Sequence, residues 1–332
     1  MIESNKTLPN ESAKGLVSIL ICSRDRRKAL EALIKTLLNM ETDYTFEIVV
    51  VEETDNPIPI KGTTYVSHPV ANRGIPYARN MALTAAKEEL IVFLDDDCIV
   101  IDQWLNKLLK SFKDESVVGV QGGVTVPEDT NPIGWVETLL GFPGGGLRRV
   151  FDARGELQET REISTLNCAY RRWVIDRVGG FEKELRLTGE DYLLAKQVCR
   201  YGRCLFVPGA MVTHEARGNL VKIWNWFVRR GRAEVDVIST GKQKDTNLWT
   251  VLKSSLIVKL FFLITLTIVF SNWATLTASM AILVYGSVQY TRYHKTWKGS
   301  SASIMSFILL PVVKLTMDIA MDWGRFRGII FD

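Results

Sequence analysis

Apolar and polar positions alternate with two different periods over the first hundred residues. Four short, mainly apolar runs predict strands buried on both faces: residues 17–22, 46–51, 65–66 and 90–94. Between them, residues 29–40 and 76–87 repeat apolar side chains every three or four positions, which predicts amphipathic helices. Strands that alternate with helices in this way predict a parallel sheet covered by helices on both faces.

The pattern is less regular after residue 100. We predict helices and short strands in this order: a helix over 104–112, a pair of strands within 117–126, helices over 172–178 and 192–201, and short strands at 205–207 and 211–212 that end at His214. Residues 131–155 are rich in glycine and carry little periodicity. They predict an irregular segment, either a mobile cover over a site or a plain surface loop.

Three consecutive carboxylates, Asp95, Asp96 and Asp97, follow the apolar run 90–94 directly. Like charges this close are unfavourable unless a cation neutralises them, and hard divalent cations prefer oxygen ligands. Ligands of open α/β sheets bind at the carboxyl ends of the strands. The triplet therefore predicts a metal site for an anionic substrate, with a solvated acidic loop as the alternative.

The composition changes near residue 250. Residues 251–290 contain two apolar stretches, each close to the ~20 residues that a spanning helix needs, and they predict a helical hairpin in a membrane with both ends in the cytoplasm. A third apolar stretch, 304–321, contains Pro311, Lys314 and Asp318, so it either spans the membrane or lies in its interface. The alternative for the whole anchor, 251–332, is a buried helical subdomain.

The remaining bulk properties narrow the class of protein. Residues 1–14 form a polar tail without the apolar core of a signal peptide, and five cysteines without a C-x-x-C pair are typical of reduced thiols in a cytosolic compartment. A net charge of +4 is too small to indicate a nucleic-acid partner. Neither a G-x-G-x-x-G nor a G-x-x-x-x-G-K-S/T loop is present, which argues against a dinucleotide-binding dehydrogenase and a P-loop NTPase.

Several motifs follow one another in the order found in the family 2 glycosyltransferases. They are Ser23-Arg24-Asp25-Arg26, Glu52-Glu53, Asn72-x-Gly74 with Ala78-Arg79-Asn80, Asp95-Asp96-Asp97, the segment from Asn167 to Arg172, Gly189-Glu190-Asp191, and His214. Over about residues 16–234 the chain resembles this family. The resemblance implies the glycosyltransferase-A fold, a Rossmann-like α/β fold with a mainly parallel central sheet and helices on both faces. We expect this catalytic domain to occupy residues 15–216.

The resemblance also implies roles for individual residues. Nucleotide-sugar binding is expected of Ser23, Arg24, Arg26, Glu52, Glu53, Asn72, Gly74, Arg79, Asp95, Asp96 and Asn167. Asp97, Asp95 and His214 are expected to bind Mn²⁺ or Mg²⁺, which would neutralise the nucleoside diphosphate leaving group. Asp191 is the expected general base, supported by Glu190, and this mechanism inverts the anomeric centre. A UDP-sugar is the first donor to test, although the glutamate pair at 52–53 leaves the base open.

A basic, tryptophan-containing segment, residues 217–250, joins the catalytic domain to the apolar region. Such a mixture next to a membrane suits anionic lipid head groups. We therefore expect a lipid-linked glycan or a polyprenyl phosphate as the acceptor at the cytoplasmic membrane face. The residues expected to bind it are Arg172, Trp226, Arg229, Arg230 and Arg232. The Gln-x-x-Arg-Trp motif of processive synthases is missing, which indicates the transfer of a single sugar.

Two other classes of function remain open from the sequence alone. A nucleotidyltransferase shares a similar α/β half, but it would carry a glycine-rich basic loop after the first strand, and residues 23–27 contain no glycine. A membrane-docked scaffold that binds sugar nucleotides without activity is the non-enzymatic alternative. The acids Asp95, Asp97 and Asp191 argue against that alternative.

Overall fold

The computed structural model describes residues 14–71, 73–185, 187–241, 248–260, 265 and 274–331. The strands in this part of the chain are β1 (Lys14–Arg24), β2 (Tyr44–Glu53), β3 (Thr64–His68), β4 (Leu90–Leu94), β5 (Cys98–Val100), β6 (Val117–Thr125), β7 (Gln158–Glu159), β8 (Asn167–Arg171) and β9 (Arg203–His214). They form one sheet in the order β3-β2-β1-β4-β8-β6-β9-β5, and β7 pairs with β9.

Helices pack on both faces of this sheet and, after β9, on one another. They are α1 (Arg27–Leu38), α2 (Ile75–Ala85), α3 (Trp104–Leu109), α4 (Pro132–Leu139), α5 (Gly146–Ala153), α6 (Arg172–Val178), α7 (Glu190–Val198), α8 (Leu220–Ser239), α9 (Leu248–Ser254), a penultimate helix (Ala274–Lys298) and a C-terminal helix (Ile304–Phe331). One face of the sheet packs on α1 and α3, and the other packs on α2, α6 and α7.

The α/β fold with a mainly parallel sheet is confirmed: β1, β2, β3, β4, β6 and β9 run in one direction, and β5, β7 and β8 run against them. β1 pairs parallel with β2 and β4, β2 with β3, and β6 with β9. β8 runs antiparallel to both of its neighbours, β4 and β6. The chain reaches β8 from the carboxyl edge of the sheet, after the long segment that follows β6, so this strand can only return in the opposite direction.

Three local predictions were wrong. Residues 117–126 form one strand rather than a pair, and the two predicted strands at 205–207 and 211–212 are parts of the single strand β9. The irregular segment 131–155 contains the two helices α4 and α5. Asn131 caps α4 by accepting a hydrogen bond from the backbone N–H of Gly134 at 3.0 Å. Because α4 and α5 are only eight residues each, their apolar period is too short to stand out among the glycines.

The helices that follow β9 share one apolar core with α4. This core joins Val136 of α4, Ile223 and Phe227 of α8, Tyr293 of the penultimate helix and Leu310 of the C-terminal helix. The region that was predicted as a membrane anchor is therefore packed against the catalytic domain along one side. Its opposite side exposes large apolar residues, among them Ile282, Leu283, Ile304 and Ile308.

By length and composition only, one helix in the described part of the chain could cross a membrane, Ile304–Ile330, and 28% of its most apolar window is buried in the molecule. This is one candidate among the described helices, so a multi-pass anchor is not supported. The middle of the predicted hairpin, residues 261–264 and 266–273, lies outside the described residues, as does most of the polar tail 1–14.

Candidate active site

The acidic triplet lies in a tight turn at the carboxyl edge of the sheet. The backbone N–H of Cys98 donates to the carbonyl of Asp95 at 3.3 Å, which closes the turn between β4 and β5. β5 pairs antiparallel with β9, and this register sets His214 opposite Cys98. The last residue of β9 is thereby brought beside Asp97, 117 positions away in the sequence.

Asp95, Asp97 and His214 form the group that fits a metal ion. One ligand atom from each lies within 4.8 Å of the others. His214 Nε2 is 3.2 Å from Asp97 Oδ1, and both side chains are largely buried. Burial favours the neutral form of His214, but the hydrogen bond and the negative charge of Asp97 outweigh it and raise the pKa of His214. Two carboxylates and an imidazole suit Mn²⁺ or another divalent transition metal.

Asp96 does not belong to this group, and its largely buried side chain is bound to the loop after β1. Its Oδ2 accepts a hydrogen bond from the Ser23 hydroxyl at 2.6 Å, and its Oδ1 accepts one from Arg26 at 3.1 Å. Burial raises the pKa of Asp96 to about 6, against the opposing effects of Ser23 and Arg26. Asp96 therefore connects the turn after β4 to the loop after β1. Arg26 also binds Asp97, so this loop is held against the metal ligands.

Glu190 and Asp191 begin α7 on the other side of the same cleft. Gly189 precedes them with a φ of +98°, a left-handed conformation that favours glycine. Arg79 of α2 pairs with Glu190 through Nη1 and lies 3.5 Å from Asp95 through Nη2. One guanidinium thus joins the acid at the start of α7 to an acid of the triplet.

These side chains line a single cleft of about 2060 Å³. This volume exceeds the ~300–1,000 Å³ that is typical of a small-molecule pocket. Ser23, Arg24, Arg26, Glu53 and Gly74, which were expected to bind the nucleotide sugar, also line it. The cleft has room for a nucleotide sugar together with part of a second substrate.

The wall of the cleft beyond His214 is aromatic and basic. Trp226 of α8 packs against Phe142, with ring centroids 5.8 Å apart. The guanidinium of Arg217 lies 3.9 Å from the Trp226 ring centroid, and that of Arg230 lies 5.3 Å from it. Arg217 is also paired with Glu137, which is fully buried in α4. We name Phe142, Arg217, Trp226 and Arg230 the arginine–tryptophan wall.

Several predicted binding residues are not brought to the cleft. Glu52 points to the opposite side of β2, where it accepts hydrogen bonds from Arg27 at 2.8 Å and Tyr65 at 2.6 Å. Asn167 is buried and binds the Trp104 indole at 2.9 Å. Both side chains are therefore used within the fold, and the structure does not bring them to the cleft where the nucleotide sugar was expected.

The predicted acceptor residues divide in the same way. Arg229 and Arg230 line the cleft with Trp226, and Arg229 donates to the carbonyl of Leu187 at 2.9 Å. Arg172 lies at the opposite edge of the sheet, where it donates to the carbonyl of Glu88 at 2.7 Å, so the structure does not bring it to the acceptor side. Arg232 does not line the cleft either. Asn72 lies outside the described residues.

Arg217, Glu137 and Phe142 were not among the predicted site residues. Arg217 follows His214 by three positions, and its charge in the basic segment was a usable signal. Phe142 on the cleft wall and Glu137 behind Arg217 lie in the segment that was predicted to be irregular, so no pattern indicated either residue.

Comparison with known proteins agrees with this geometry. The family model for glycosyl transferase family 2 matches residues 18–179, which carry β1 to α6 and the acidic triplet. Residues 18–179 are a glycosyl transferase family 2 domain. This confirms the resemblance that was drawn from the motifs.

The curated relatives of this chain are distant. The pre-mycofactocin glycosyltransferase of Mycobacterium tuberculosis is 25% identical over 224 residues, which are 64% of this chain and 45% of that protein. The O-antigen biosynthesis protein RfbC of Myxococcus xanthus is 27% identical over 209 residues, which are 56% of this chain and 16% of that protein. The chain thus spans less than half the length of either relative.

A solved structure resembles nearly the whole chain. The mannosyltransferase PcManGT of Pyrobaculum calidifontis, in complex with GDP-Man and Mn²⁺, matches 99% of this chain and 91% of its own, with a TM-score of 0.57 and 18% identity. At this identity the likeness concerns the fold, which is that of the glycosyltransferase-A proteins.

Proposed function

We propose that this protein transfers one sugar from a nucleotide diphosphate sugar to an acceptor hydroxyl and inverts the anomeric centre. The observation that supports this most strongly is that a candidate metal site and a candidate general base line the same cleft. Asp95, Asp97 and His214 offer three ligand atoms within 4.8 Å of one another, and Asp191 lines the same cleft. A charge-stabilising group and a candidate base on one cleft suit a displacement at an anomeric carbon.

Asp97, Asp95 and His214 would hold Mn²⁺ or Mg²⁺, and the imidazole makes Mn²⁺ the first choice. The ion would neutralise the charge that develops on the departing nucleoside diphosphate. Asp191 would accept the proton of the acceptor hydroxyl as that oxygen attacks the anomeric carbon. Attack from the side opposite the diphosphate inverts the configuration.

The donor would lie along the loop after β1 and the end of β2. Glu53 accepts a hydrogen bond from the backbone N–H of Ala71 at 3.1 Å and lies 3.4 Å from Arg24, so its carboxylate is fixed at the edge of the cleft. Ser23, Arg26 and Gly74 line the same part. We propose a UDP-sugar as the first donor and a GDP-sugar as the second, since the solved relative binds GDP-Man.

The acceptor would approach along the arginine–tryptophan wall. Arg230 in the wall and Arg229 beside it supply positive charge, and the C-terminal helix, which packs on α8, has an exposed apolar side. A lipid-linked glycan precursor combines an anionic head with an apolar chain and would use both surfaces. Transfer to a polyprenyl phosphate itself is the second candidate, supported by the same arginines.

A panel of nucleotide sugars tests the proposal directly. UDP-glucose, UDP-galactose, UDP-glucuronic acid and GDP-mannose are offered to the full chain with Mn²⁺, with Mg²⁺ and with EDTA, and binding and hydrolysis are measured. We expect one nucleotide class to bind, and EDTA to remove turnover. Turnover that is unchanged in EDTA would exclude the metal assignment, and binding of none of the donors would contradict the proposed function.

A further inference from the structure

The guanidinium of Arg79 is occupied by protein carboxylates, so it does not suit the binding of a phosphate. Its side chain is only 10% exposed, and both terminal nitrogens face protein carboxylates: Nη1 faces Glu190, and Nη2 faces Asp95 at 3.5 Å. The guanidinium carbon Cζ lies over the Phe181 ring, 5.7 Å from its centroid. A guanidinium with these contacts on its two ends and one face is held in a single orientation.

The neighbouring residue fixes the helix that carries Arg79. The Asn80 amide donates to the carbonyl of Phe181 at 2.9 Å, and its oxygen accepts the Phe181 backbone N–H at 2.9 Å. Gly180 allows this close approach, because a Cβ on it would lie 2.7 Å from Asn80 Oδ1. α2 is thus bonded to the segment that leads into α7, and Arg79 reaches Glu190 from a fixed position.

Glu190 presents one unused oxygen. The residue is 2% exposed, and while one carboxylate oxygen binds Arg79, Oε2 is buried without a hydrogen-bond donor among the described residues. A buried carboxylate oxygen without a donor is costly, so such atoms in native proteins usually receive a ligand or water hydrogen bond. Glu190 lines the cleft, and a substrate hydroxyl is the donor that a sugar substrate offers.

We propose that Arg79 is a positioning residue that orients Glu190 so that Oε2 accepts a hydrogen bond from a hydroxyl of the transferred sugar. This inference rests on the proposed function. The transferred sugar is favoured over the acceptor because the same guanidinium contacts Asp95, one of the candidate ligands of the ion at the diphosphate. The transferred sugar is bonded directly to that diphosphate. Its hydroxyls would therefore lie close to Glu190 Oε2, which is separated from Asp95 only by the Arg79 guanidinium.

The test separates the nucleotide from the sugar. Dissociation constants of UDP and UDP-glucose, and of GDP and GDP-mannose, are measured with Mn²⁺ by calorimetry for the wild type, Glu190→Gln and Arg79→Lys. We expect the nucleoside diphosphates to bind all three proteins within about twofold. The nucleotide sugar should bind the variants about 10- to 100-fold more weakly, the range for a hydrogen bond to a charged group.

Deoxy donors identify the hydroxyl. The 2-, 3-, 4- and 6-deoxy forms of the bound nucleotide sugar are compared on the wild type and Glu190→Gln. For one of them the difference between the two proteins should vanish, because the interaction is already absent. Arg203→Gln is the control: Arg203 pairs with Glu159 and Asp114 on the surface, and its loss should leave every constant unchanged.

Two results would overturn the inference. Equal weakening of the nucleoside diphosphate and the nucleotide sugar in Arg79→Lys would make Arg79 a phosphate ligand. Unchanged binding of the nucleotide sugar to Glu190→Gln would remove Glu190 from the sugar site. A wild type that binds neither nucleoside diphosphate contradicts the proposed function first, so the two failures are distinguishable. Should Arg79→Lys not fold, Glu190→Gln alone decides, since it preserves the size of the side chain.

Discussion

Asp96 and Asp97 are adjacent in the chain and have opposite environments. Asp97 faces His214, and although burial opposes ionisation, the hydrogen bond and positive charge of His214 together with Arg26 lower the pKa of Asp97. Asp96 faces Ser23 and Arg26 in the interior, and burial raises its pKa. The turn after β4 therefore exposes Asp95 and Asp97 to a ligand and uses Asp96 to hold the loop of β1.

The role of Asp191 is tested by Asp191→Asn. This change keeps the size of the side chain and removes the proton acceptor, so donor binding should persist while the transfer rate falls by about 10²- to 10⁴-fold, the usual contribution of general base catalysis. Donor affinity by calorimetry and transfer by product detection are both needed. A transfer rate equal to that of the wild type would remove Asp191 from the mechanism.

Ionisation of Glu190 should make the free energy of unfolding of the protein depend on pH. Burial raises its pKa above the ordinary value of 4.5, the charge of Arg79 opposes this, and the charge of Asp191 adds to it. The native state then binds the proton more tightly than the unfolded state, so the stability contributed by this group is lost as pH rises above the ordinary carboxyl range. We expect the wild type to gain free energy of unfolding relative to Glu190→Gln when pH is lowered from 8 to 5. Chemical denaturation at both values measures this, and a constant difference would contradict it.

The site residues that could be predicted from the sequence are those that directly follow an apolar strand run. Asp95 and Asp97 follow an apolar run, and the carboxyl end of a buried strand is where a ligand is expected. Glu52 and Glu53 carry the same signal, yet only Glu53 faces the cleft, because successive side chains of a strand point to opposite faces. Arg172 was misplaced because the direction of β8 cannot be inferred from its own residues.

At the level of secondary structure, α8 connects the site to the C-terminal helix. It carries Trp226 and Arg230 into the cleft, and its other side meets the C-terminal helix at two glycines. A Cβ on Gly231 would lie 2.1 Å from the carbonyl oxygen of Met321, and a Cβ on Gly324 would lie 2.1 Å from that of Val228. The two backbones are therefore in contact, and the position of α8 depends on this crossing.

The glycine crossing predicts the effect of Gly324→Ala. The new methyl group would overlap a backbone atom, so we expect a loss of at least about 1–3 kcal/mol in the free energy of unfolding, the usual cost of overpacking. Gly286→Ala in the penultimate helix is the matched control, because among the described residues no atom lies within 4 Å of its Cβ position. It should be neutral or stabilise the protein by up to about 1 kcal/mol, the helix propensity difference. Equal unfolding curves for the two variants would show that the backbones of α8 and the C-terminal helix are not in contact at Gly324.

At the scale of the whole molecule, the penultimate and C-terminal helices have an apolar side that does not pack against the catalytic domain. The C-terminal helix buries Leu310, Val313 and Met317 against α4 and α8, so lipid cannot surround it while this packing is intact. Its outward residues and those of the penultimate helix remain exposed, with Arg292, Lys295 and Lys298 at one end. Apolar residues with flanking positive charge suit the interface of an anionic membrane. The sequence located this apolar region, and the packing shows which of its residues stay exposed.

Membrane docking is tested with the double variant Ile282→Glu and Leu283→Glu. These side chains are 73% and 69% exposed, so charges there should leave the fold unchanged. We expect flotation with vesicles of phosphatidylglycerol and phosphatidylcholine to fall by about tenfold or more, because two apolar side chains no longer enter the interface.

Ile58→Glu is the control, since Ile58 is 62% exposed on the loop between β2 and β3. Its binding to vesicles should equal that of the wild type. Should the double variant float as well as the wild type, this face does not dock, and the acceptor would reach the arginine–tryptophan wall from solution.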